Sequence, residues 1–173
     1  MPDGNIETPR FLLRPVCEED AAFIYTLMNT PDWLFYIGDR HVRSEEDARH
    51  YIIEKMLPQV QSHGFGNFIV IRKADGMSTG TCGLYDRKGL DGIDLGFAFL
   101  PEYKRLGYGF ESAAALVKKA REDFKIQRLV AITKSDNRPS RKLLEKLGFL
   151  DGGLLDLPGF SEDLVLYEFP EKT

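Results

Sequence analysis

Metal-binding and disulfide patterns are missing from this 173-residue sequence. Its two cysteines, Cys17 and Cys82, stand far apart, and its three histidines, His41, His50 and His63, form no pair such as H-E-x-x-H. Zinc sites need ligands at short, regular spacings, and disulfide-rich domains need more cysteines. We therefore expect no bound metal and no disulfide framework, and two free thiols fit a reducing cytoplasm.

Signals for membranes, secretion and nucleotides are also absent. No apolar run approaches the roughly 20 residues that cross a bilayer, so we expect no membrane contact. Residues 1–5 lack the basic and apolar regions of a signal peptide, which again predicts a cytoplasmic protein. Neither G-x-x-x-x-G-K-[ST] nor G-x-G-x-x-G occurs, which disfavours a binding protein for ATP or NAD.

The net charge of −4 excludes a surface that is basic throughout, so no nucleic-acid partner is expected. The charge is unevenly distributed, however. Residues 101–147 hold 12 Lys and Arg against 6 Asp and Glu, a net of +6, and the remainder holds 11 against 21, a net of −10. Such a basic stretch indicates a local anionic ligand, although a pair of solvated helices would explain the charge equally well.

The apolar pattern predicts one mixed α/β domain that spans residues 1–173, with elements in the order β-α-α-β-β-β-α-β-α-β-β. Residues 33–37 are predicted as an aromatic loop. Pro58 is predicted to kink or shorten the second helix, because proline removes an interior hydrogen bond, and Gly64 is predicted to end that helix. In the strand at 93–100, alternate side chains are expected to share a face.

The most informative stretch is L-G-F-A-F-L-P-E-Y-K-R-L-G-Y-G-F at residues 95–110, where a strand runs into a basic, glycine-bearing turn and then a helix. Glycines let backbone N–H groups turn toward a ligand, and a helix N-terminus adds unpaired donors and partial positive charge. Lys104 and Arg105 add full charges. The stretch therefore predicts a cradle for an anion such as pyrophosphate.

A second stretch, N-R-P-S-R-K-L-L-E-K-L-G-F at residues 137–149, follows one strand later. Together the two stretches resemble the GNAT superfamily of N-acetyltransferases, whose loop reads [Q/R]-x-x-G-x-[G/A] and here reads Lys104-x-x-Gly107-x-Gly109. Lysine keeps the positive charge but loses the planar fork of arginine. The resemblance covers nearly the whole chain and is strongest to the ribosomal-protein-alanine N-acetyltransferase branch.

The resemblance implies a single GNAT-type α/β (α+β) domain. Its mixed central sheet would have about seven strands, with a splay between strands 4 and 5, and about four flanking helices. Acetyl-CoA would be the co-substrate, with its pantetheine arm along the splayed fourth strand and Arg141 or Lys146 near its remaining phosphate. The implied cofactor-binding residues are Phe97, Ala98, Phe99, Lys104, Arg105, Leu106, Gly107, Tyr108, Gly109, Phe110, Asn137 and Ser140.

The resemblance also suggests catalytic groups. Many relatives carry a tyrosine at the position of Leu144, which protonates the leaving thiolate; the ribosomal-type branch instead has the serine found here as Ser140, our candidate acid. Ser140 could also simply satisfy the first turn of its helix. Asp94 stands where many relatives carry a catalytic glutamate and is our candidate base, unless it faces solvent with an ordinary pKa. An N–H of Ala98 or Phe99 is expected to donate to the thioester oxygen.

The expected acceptor is a primary amine, either a protein N-terminal α-amine or a small molecule. It would bind near the final hairpin against Trp33, Phe35, Tyr36 and Tyr85, and the acidic remainder of the chain would attract a cationic amine. The aromatic residues could equally be core or dimer contacts, and both a monomer and a homodimer fit. The alternative function is a non-catalytic acyl-CoA-binding or sensor module on the same fold, which would bind acetyl-CoA without releasing thiol.

Overall fold

A computed structural model describes residues 4–160 and 163–171 as one mixed sheet with helices on both faces. The strands are β1 (Ile6–Glu7), β2 (Phe11–Pro15), β3 (Asn67–Arg72), β4 (Ser78–Tyr85), β5 (Ile93–Phe99), β6 (Leu129–Lys134), β7 (Leu150–Leu155) and β8 (Leu164–Glu168). Their order is β1-β2-β3-β4-β5-β6-β8-β7, antiparallel except for the parallel pair β5 and β6. The predicted single α/β domain is confirmed, with one strand more than expected because the short β1 pairs with β2.

Within the described residues, five α-helices flank the sheet, against about four predicted. They are α1 (Ala21–Met28), α2 (Glu45–Tyr51), α3 (Leu57–His63), α4 (Tyr108–Glu122) and α5 (Arg138–Leu147). Short 3₁₀ turns occupy Glu18–Asp20 and Pro101–Tyr103. The count rises because the second predicted helix consists of α2 and α3, which are joined by a π-helical segment, Ile52–Met56.

Pro58 was expected to kink or shorten this helix, and the structure shows no shortening, since the helix formed by α2 and α3 continues past Pro58 to His63. Pro58 lies in the first turn of α3, and the π-helical segment directly precedes it. At the start, the Ser44 side chain accepts a hydrogen bond from the Asp47 N–H at 3.0 Å. The predicted end is confirmed at Gly64, whose φ of 76° suits glycine.

Alternation along the strands divides the core into two layers. In β3, Phe68 and Val70 pack on the side of α4, whereas Ile69 packs with Ile24 of α1 and Ile52 beyond α2. Burying each such side chain contributes about 1.5–3 kcal/mol. The sheet is thus fixed from both sides, and β5 presents one face to α4.

The aromatic segment Trp33–Ile37 is a π-helical turn and not the predicted loop. The Gly38 N–H donates to the Trp33 carbonyl at 2.9 Å and closes the turn. Within the described residues, no helix has the length and apolar character needed to cross a membrane. The same residues contain no group of three His, Cys, Asp or Glu side chains placed to hold a metal.

Candidate active site

A wedge-shaped gap opens between β5 and β6. The two strands pair only at Ile93–Leu129 and Asp94–Val130, and beyond Asp94 they run on without pairing. The gap is the predicted splay between strands 4 and 5, since β1 adds one to the strand count. Asp94 therefore lies at the narrow end of the gap.

Backbone groups of β5 line one side of the gap. The Ile93 N–H donates toward β6, to the Arg128 carbonyl at 2.9 Å, and the Leu100 N–H donates toward β4, to the Thr79 carbonyl at 3.0 Å. Because backbone groups alternate in direction along a strand, Phe97 and Phe99 direct their N–H and C=O groups into the gap. Ala98 directs its own toward β4. Of the two expected thioester donors, the N–H of Phe99 faces the gap and that of Ala98 does not. The N–H of Phe97, which was not expected, also faces the gap.

The glycine-bearing turn leads from β5 to the N-terminus of α4. Gly107 has a φ of 79° and Arg105 a φ of 63°, so both occupy the left-handed region. The N–H groups of residues 108–110 have no backbone acceptor among the described residues, because the first helical bond runs from the Glu111 N–H to the Gly107 carbonyl at 3.1 Å. The turn thus presents unpaired donors with positive helix-dipole character beside the wide end of the gap.

Side chains of the turn differ in what they offer. The ring of Tyr108 is buried edge-on against Phe11 at 4.7 Å, and its hydroxyl accepts from Arg72 Nη1 at 3.0 Å, so Tyr108 offers only its backbone to a ligand. Lys104 is ion-paired with Asp32, and partial burial lowers the pKa of the lysine. An anion in the turn would have to compete with Asp32 for Lys104.

Tight packing surrounds Gly109 and Phe110 where α4 meets α5. A Cβ on Gly109 would lie 3.0 Å from Leu143 Cδ2, which leaves little room for any larger residue. Lys146 lies over the Phe110 ring at 4.3 Å and lines an open groove of about 580 Å³ that also includes Gly107. Of the two residues expected near the remaining phosphate, Lys146 is the one beside the turn.

Arg141, the other candidate, is engaged by neighbouring groups of the protein at a partly exposed position. Its Nε donates to the Tyr167 hydroxyl at 2.9 Å, its Nη1 to the Ser135 carbonyl at 2.9 Å and its Nη2 to Asp151 at 3.0 Å. These bonds raise the pKa of Arg141 and use donors that a phosphate would need. Its position indicates that it anchors α5 to β7 and β8.

The N-terminus of α5 shows which residue caps the helix and which keeps a free side-chain group. Asn137 Oδ1 accepts from the Ser140 N–H at 3.3 Å, so Asn137 caps the helix. The Ser140 hydroxyl makes no hydrogen bond within the described residues, and the side chain is half-buried, so its Oγ is not used in the first turn. Leu144, one turn later, is packed in the core.

Asp94 is buried, contrary to the alternative that it faces solvent. Its side chain is 3% exposed, and its Oδ2 accepts from Arg87 Nε at 2.6 Å. Its Oδ1 has no hydrogen-bond partner among the described residues. Burial raises the pKa of Asp94 to about 6, although Arg87 and the Ile132 N–H partly counter the shift.

Tyr85 lies flat across the sheet beside this carboxylate. Its ring covers Gly83 and Gly96, which are paired across β4 and β5; a Cβ on Gly96 would lie 2.8 Å from Tyr85 Cε2. The hydroxyl donates to Asn67 Oδ1 at 2.6 Å, and burial raises the pKa of Tyr85. The glycines are therefore required by the position of the tyrosine ring.

The aromatic turn lies near both sides of the gap. At one end Asp32 contacts Lys104 of the β5–α4 turn, and at the other end Lys134, the last residue of β6, donates to the Phe35 carbonyl at 3.0 Å. Trp33 packs against the α1–α3 layer, as the core alternative expected, whereas Phe35 is 58% exposed and stacks edge-on with Tyr36 at 4.8 Å.

Arg87 was missing from the candidates. It follows β4, and the pairing of Tyr85 with Asp94 places the side chains of all three on one face of the hairpin. The register of the β4–β5 hairpin would have predicted that Arg87, Tyr85 and Asp94 are neighbours. The long connecting turn does not fix that register, so the sequence did not predict it. The Lys104–Asp32 pair gave no signal, because its members are 72 residues apart.

Several proteins similar to this chain are named acetyltransferases. Residues 10–150 match the family described as Acetyltransferase (GNAT) domain. The Bacillus subtilis (strain 168) protein named uncharacterized N-acetyltransferase YnaD is 25% identical over 144 residues, 83% of this chain and 81% of that protein. A solved GNAT-family acetyltransferase from Bacillus anthracis has a TM-score of 0.76 at 26% identity over 95% of both chains. A ribosomal-protein alanine acetyltransferase from Vibrio fischeri, 19% identical with a TM-score of 0.76 over 95% of this chain and 94% of that one, shares the fold.

Proposed function

Because the chain belongs to the GNAT family of N-acetyltransferases, we propose that it moves the acetyl group of acetyl-CoA to a primary amine by direct attack. The acceptor would be a protein N-terminal α-amine or a small-molecule amine. The observation that carries this proposal is the gap between β5 and β6, whose unpaired N–H groups at Phe97 and Phe99 continue into the donor-rich start of α4.

The residues around the gap fit acetyl-CoA. A pantetheine arm carries two amides, which can pair with the free N–H and C=O groups of Phe97 and Phe99 as a neighbouring strand would. Pyrophosphate fits the turn of residues 104–110, since its donors need no side chain and Gly107 adopts the required left-handed backbone. Asn137 Nδ2 donates to no group in the described chain, and we assign it to an amide oxygen of the pantetheine arm.

Bound acetyl-CoA supplies a thioester whose carbonyl carbon the neutral amine attacks, with the CoA thiol as leaving group. We assign to the N–H of Phe97 or Phe99 the hydrogen bond to the carbonyl oxygen as it gains charge. Asp94 accepts the proton of the amine through a relay of waters, and Ser140 protonates the leaving sulfur.

An enzyme-bound thioester has little support. Cys82 is buried in the core, and burial raises its pKa to about 12, so the reactive thiolate is scarce at neutral pH. Burial also raises the pKa of Cys17. Direct transfer from acetyl-CoA therefore fits this chain better than a cysteine intermediate.

Thiol release tests the proposal. Purified protein with acetyl-CoA and a panel of peptides and small amines should release CoA in step with acetylated product, followed by a thiol reagent and mass spectrometry. Calorimetric binding of acetyl-CoA without thiol release from any amine would favour the sensor module, and no binding would contradict both functions.

The role of Ser140 can be tested against that of its neighbour. Ser140→Ala is expected to lower kcat about 100-fold, as loss of a general acid does, with unchanged stability because Asn137 provides the cap. Asn137→Ala should lower the free energy of unfolding by about 1 kcal/mol through loss of the cap, together with a loss of affinity for acetyl-CoA. Steady-state kinetics and urea denaturation measure both; a Ser140→Ala variant that keeps its kcat would leave Ser140 without a catalytic role.

The extent of the domain, its location and its assembly are further proposals. We propose that the domain takes up residues 1–173, that the protein acts in the cytoplasm, where acetyl-CoA is available, and that it works as a monomer or homodimer.

A further inference from the structure

Arg87 has a fixed position beside the gap. Its Nε donates to Asp94 Oδ2 at 2.6 Å, and its guanidinium carbon lies 4.9 Å from the centre of the Tyr85 ring and 5.5 Å from that of Phe160. The two loops that carry Arg87 and Phe160 also touch where Leu157 meets Gly89. The Asp94 carboxylate and the rings of Tyr85 and Phe160 thus hold the guanidinium in place.

Most donors of Arg87 remain available. A guanidinium has five N–H donors, and Asp94 takes the one on Nε. The Nη1 and Nη2 atoms donate to no group in residues 4–160 and 163–171, and the side chain is 30% exposed. Two parallel N–H groups on a charged, planar fork match the two oxygens of a carboxylate.

The nearby charges do not occupy this fork. Asp86, next in sequence, contacts His63 at 3.0 Å, and Asp94 is engaged through Nε. Lys134, on the other side of the gap, adds a second positive charge. The acceptor side is therefore not uniformly acidic. A uniformly acidic surface would be expected if the acceptor were a purely cationic amine.

We propose that Arg87 binds a carboxylate on the acceptor, so that the preferred acceptors are amino acids. The inference rests on the proposed acetyl transfer and names the substrate class of that site. Phe97 lies three residues along β5 from Asp94, about 10 Å at strand spacing. The amine that reaches the gap and the carboxylate on Arg87 are thus separated by several bonds, as in an amino acid whose reacting amine is at the end of its chain.

The test uses pairs of acceptors that differ only in the carboxylate. Straight-chain ω-amino acids of three to seven carbons are compared with the corresponding ω-amino amides, with kcat/KM measured by thiol release. We expect the acid to be preferred over its amide by about 10- to 100-fold at the best chain length, the range of a charge-assisted pair. In Arg87→Gln the preference should vanish through a higher KM for the acid, with the KM for acetyl-CoA unchanged.

Two further variants keep the result interpretable. Arg87→Lys retains the charge without the fork and should restore part of the preference, which serves as the measurement if Arg87→Gln does not fold. Arg128→Gln removes an arginine paired with Glu168 at 2.5 Å and should keep the full preference. Equal rates for acid and amide, or a preference that survives in Arg87→Gln, would overturn the inference while acetyl transfer stands. No turnover with any amine would overturn the proposed function itself.

Discussion

Valine in place of Gly107 is expected to raise the Kd for acetyl-CoA at least 100-fold. Gly107 has a φ of 79°, a conformation that β-branched residues strongly avoid. Relieving that strain turns the N–H groups at the start of α4 away from the pyrophosphate. Each hydrogen bond to a charged group contributes about 1.5–3 kcal/mol, so losing two corresponds to roughly 100- to 10,000-fold in affinity. Calorimetry with acetyl-CoA measures the change directly.

Gly64→Val is the matched control for backbone strain. Gly64 has a φ of 76°, ends α3, and has no atom within 4 Å of an added Cβ. Both variants should lose about 1–2 kcal/mol of stability from the left-handed backbone, but only Gly107→Val should lose affinity. If the two variants bind acetyl-CoA equally well, the turn of residues 104–110 is not the pyrophosphate site.

The parts of the fold that depend on local sequence were predictable. The capping serine at Ser44, the glycine end at Gly64 and the strand–turn–helix around Gly107 each reflect a preference within a few residues. The aromatic segment at 33–37 was wrongly predicted as a loop, because its conformation depends on contacts with distant residues. A short apolar stretch carries no local signal that distinguishes a π-helical turn from a loop.

The sequence predicted which residues form the site better than it predicted where their backbone and side-chain groups point. The resemblance gave the strand of Phe97, Ala98 and Phe99, but which N–H faces the gap depends on which strand lies on each side of β5. The role of Arg87 depends on hairpin register and on Phe160, which is 73 positions further along the chain. Both depend on tertiary structure. The alternation of side chains along one strand tells only which residues share a face, and not which strand or loop lies beside that face.

Asparagine in place of Asp94 is expected to lower kcat by about 100- to 10,000-fold for every primary amine, the range for loss of a general base. The substitution keeps the shape and an oxygen for Arg87 Nε but cannot take a proton. With a pKa of about 6, Asp94 is ionised at neutral pH and close to the operating range of a base. Steady-state kinetics with saturating acetyl-CoA measures the loss.

Comparison with Arg87→Gln separates two roles of Asp94. As a base, Asp94 is needed for amines with and without a carboxylate. As a support for Arg87 alone, it would be needed only for acceptors that carry a carboxylate, and Asp94→Asn would then reproduce the acceptor profile of Arg87→Gln. Unchanged turnover of ω-amino amides in Asp94→Asn would therefore exclude the base role.

The pH dependence of stability tests the environment of Asp94 without any substrate. Its folded pKa of about 6 exceeds the ordinary 3.8, so the folded state binds the proton more tightly than the unfolded state. The stability that this proton contributes is fully present below about pH 4 and is lost as the pH rises through about 6. At 1.36 kcal/mol per pKa unit, wild type should lose about 2–3 kcal/mol relative to Asp94→Asn across that window. Urea denaturation between pH 4 and pH 8 measures the difference, and a constant difference would mean that Asp94 is not held in a buried, partly compensated site.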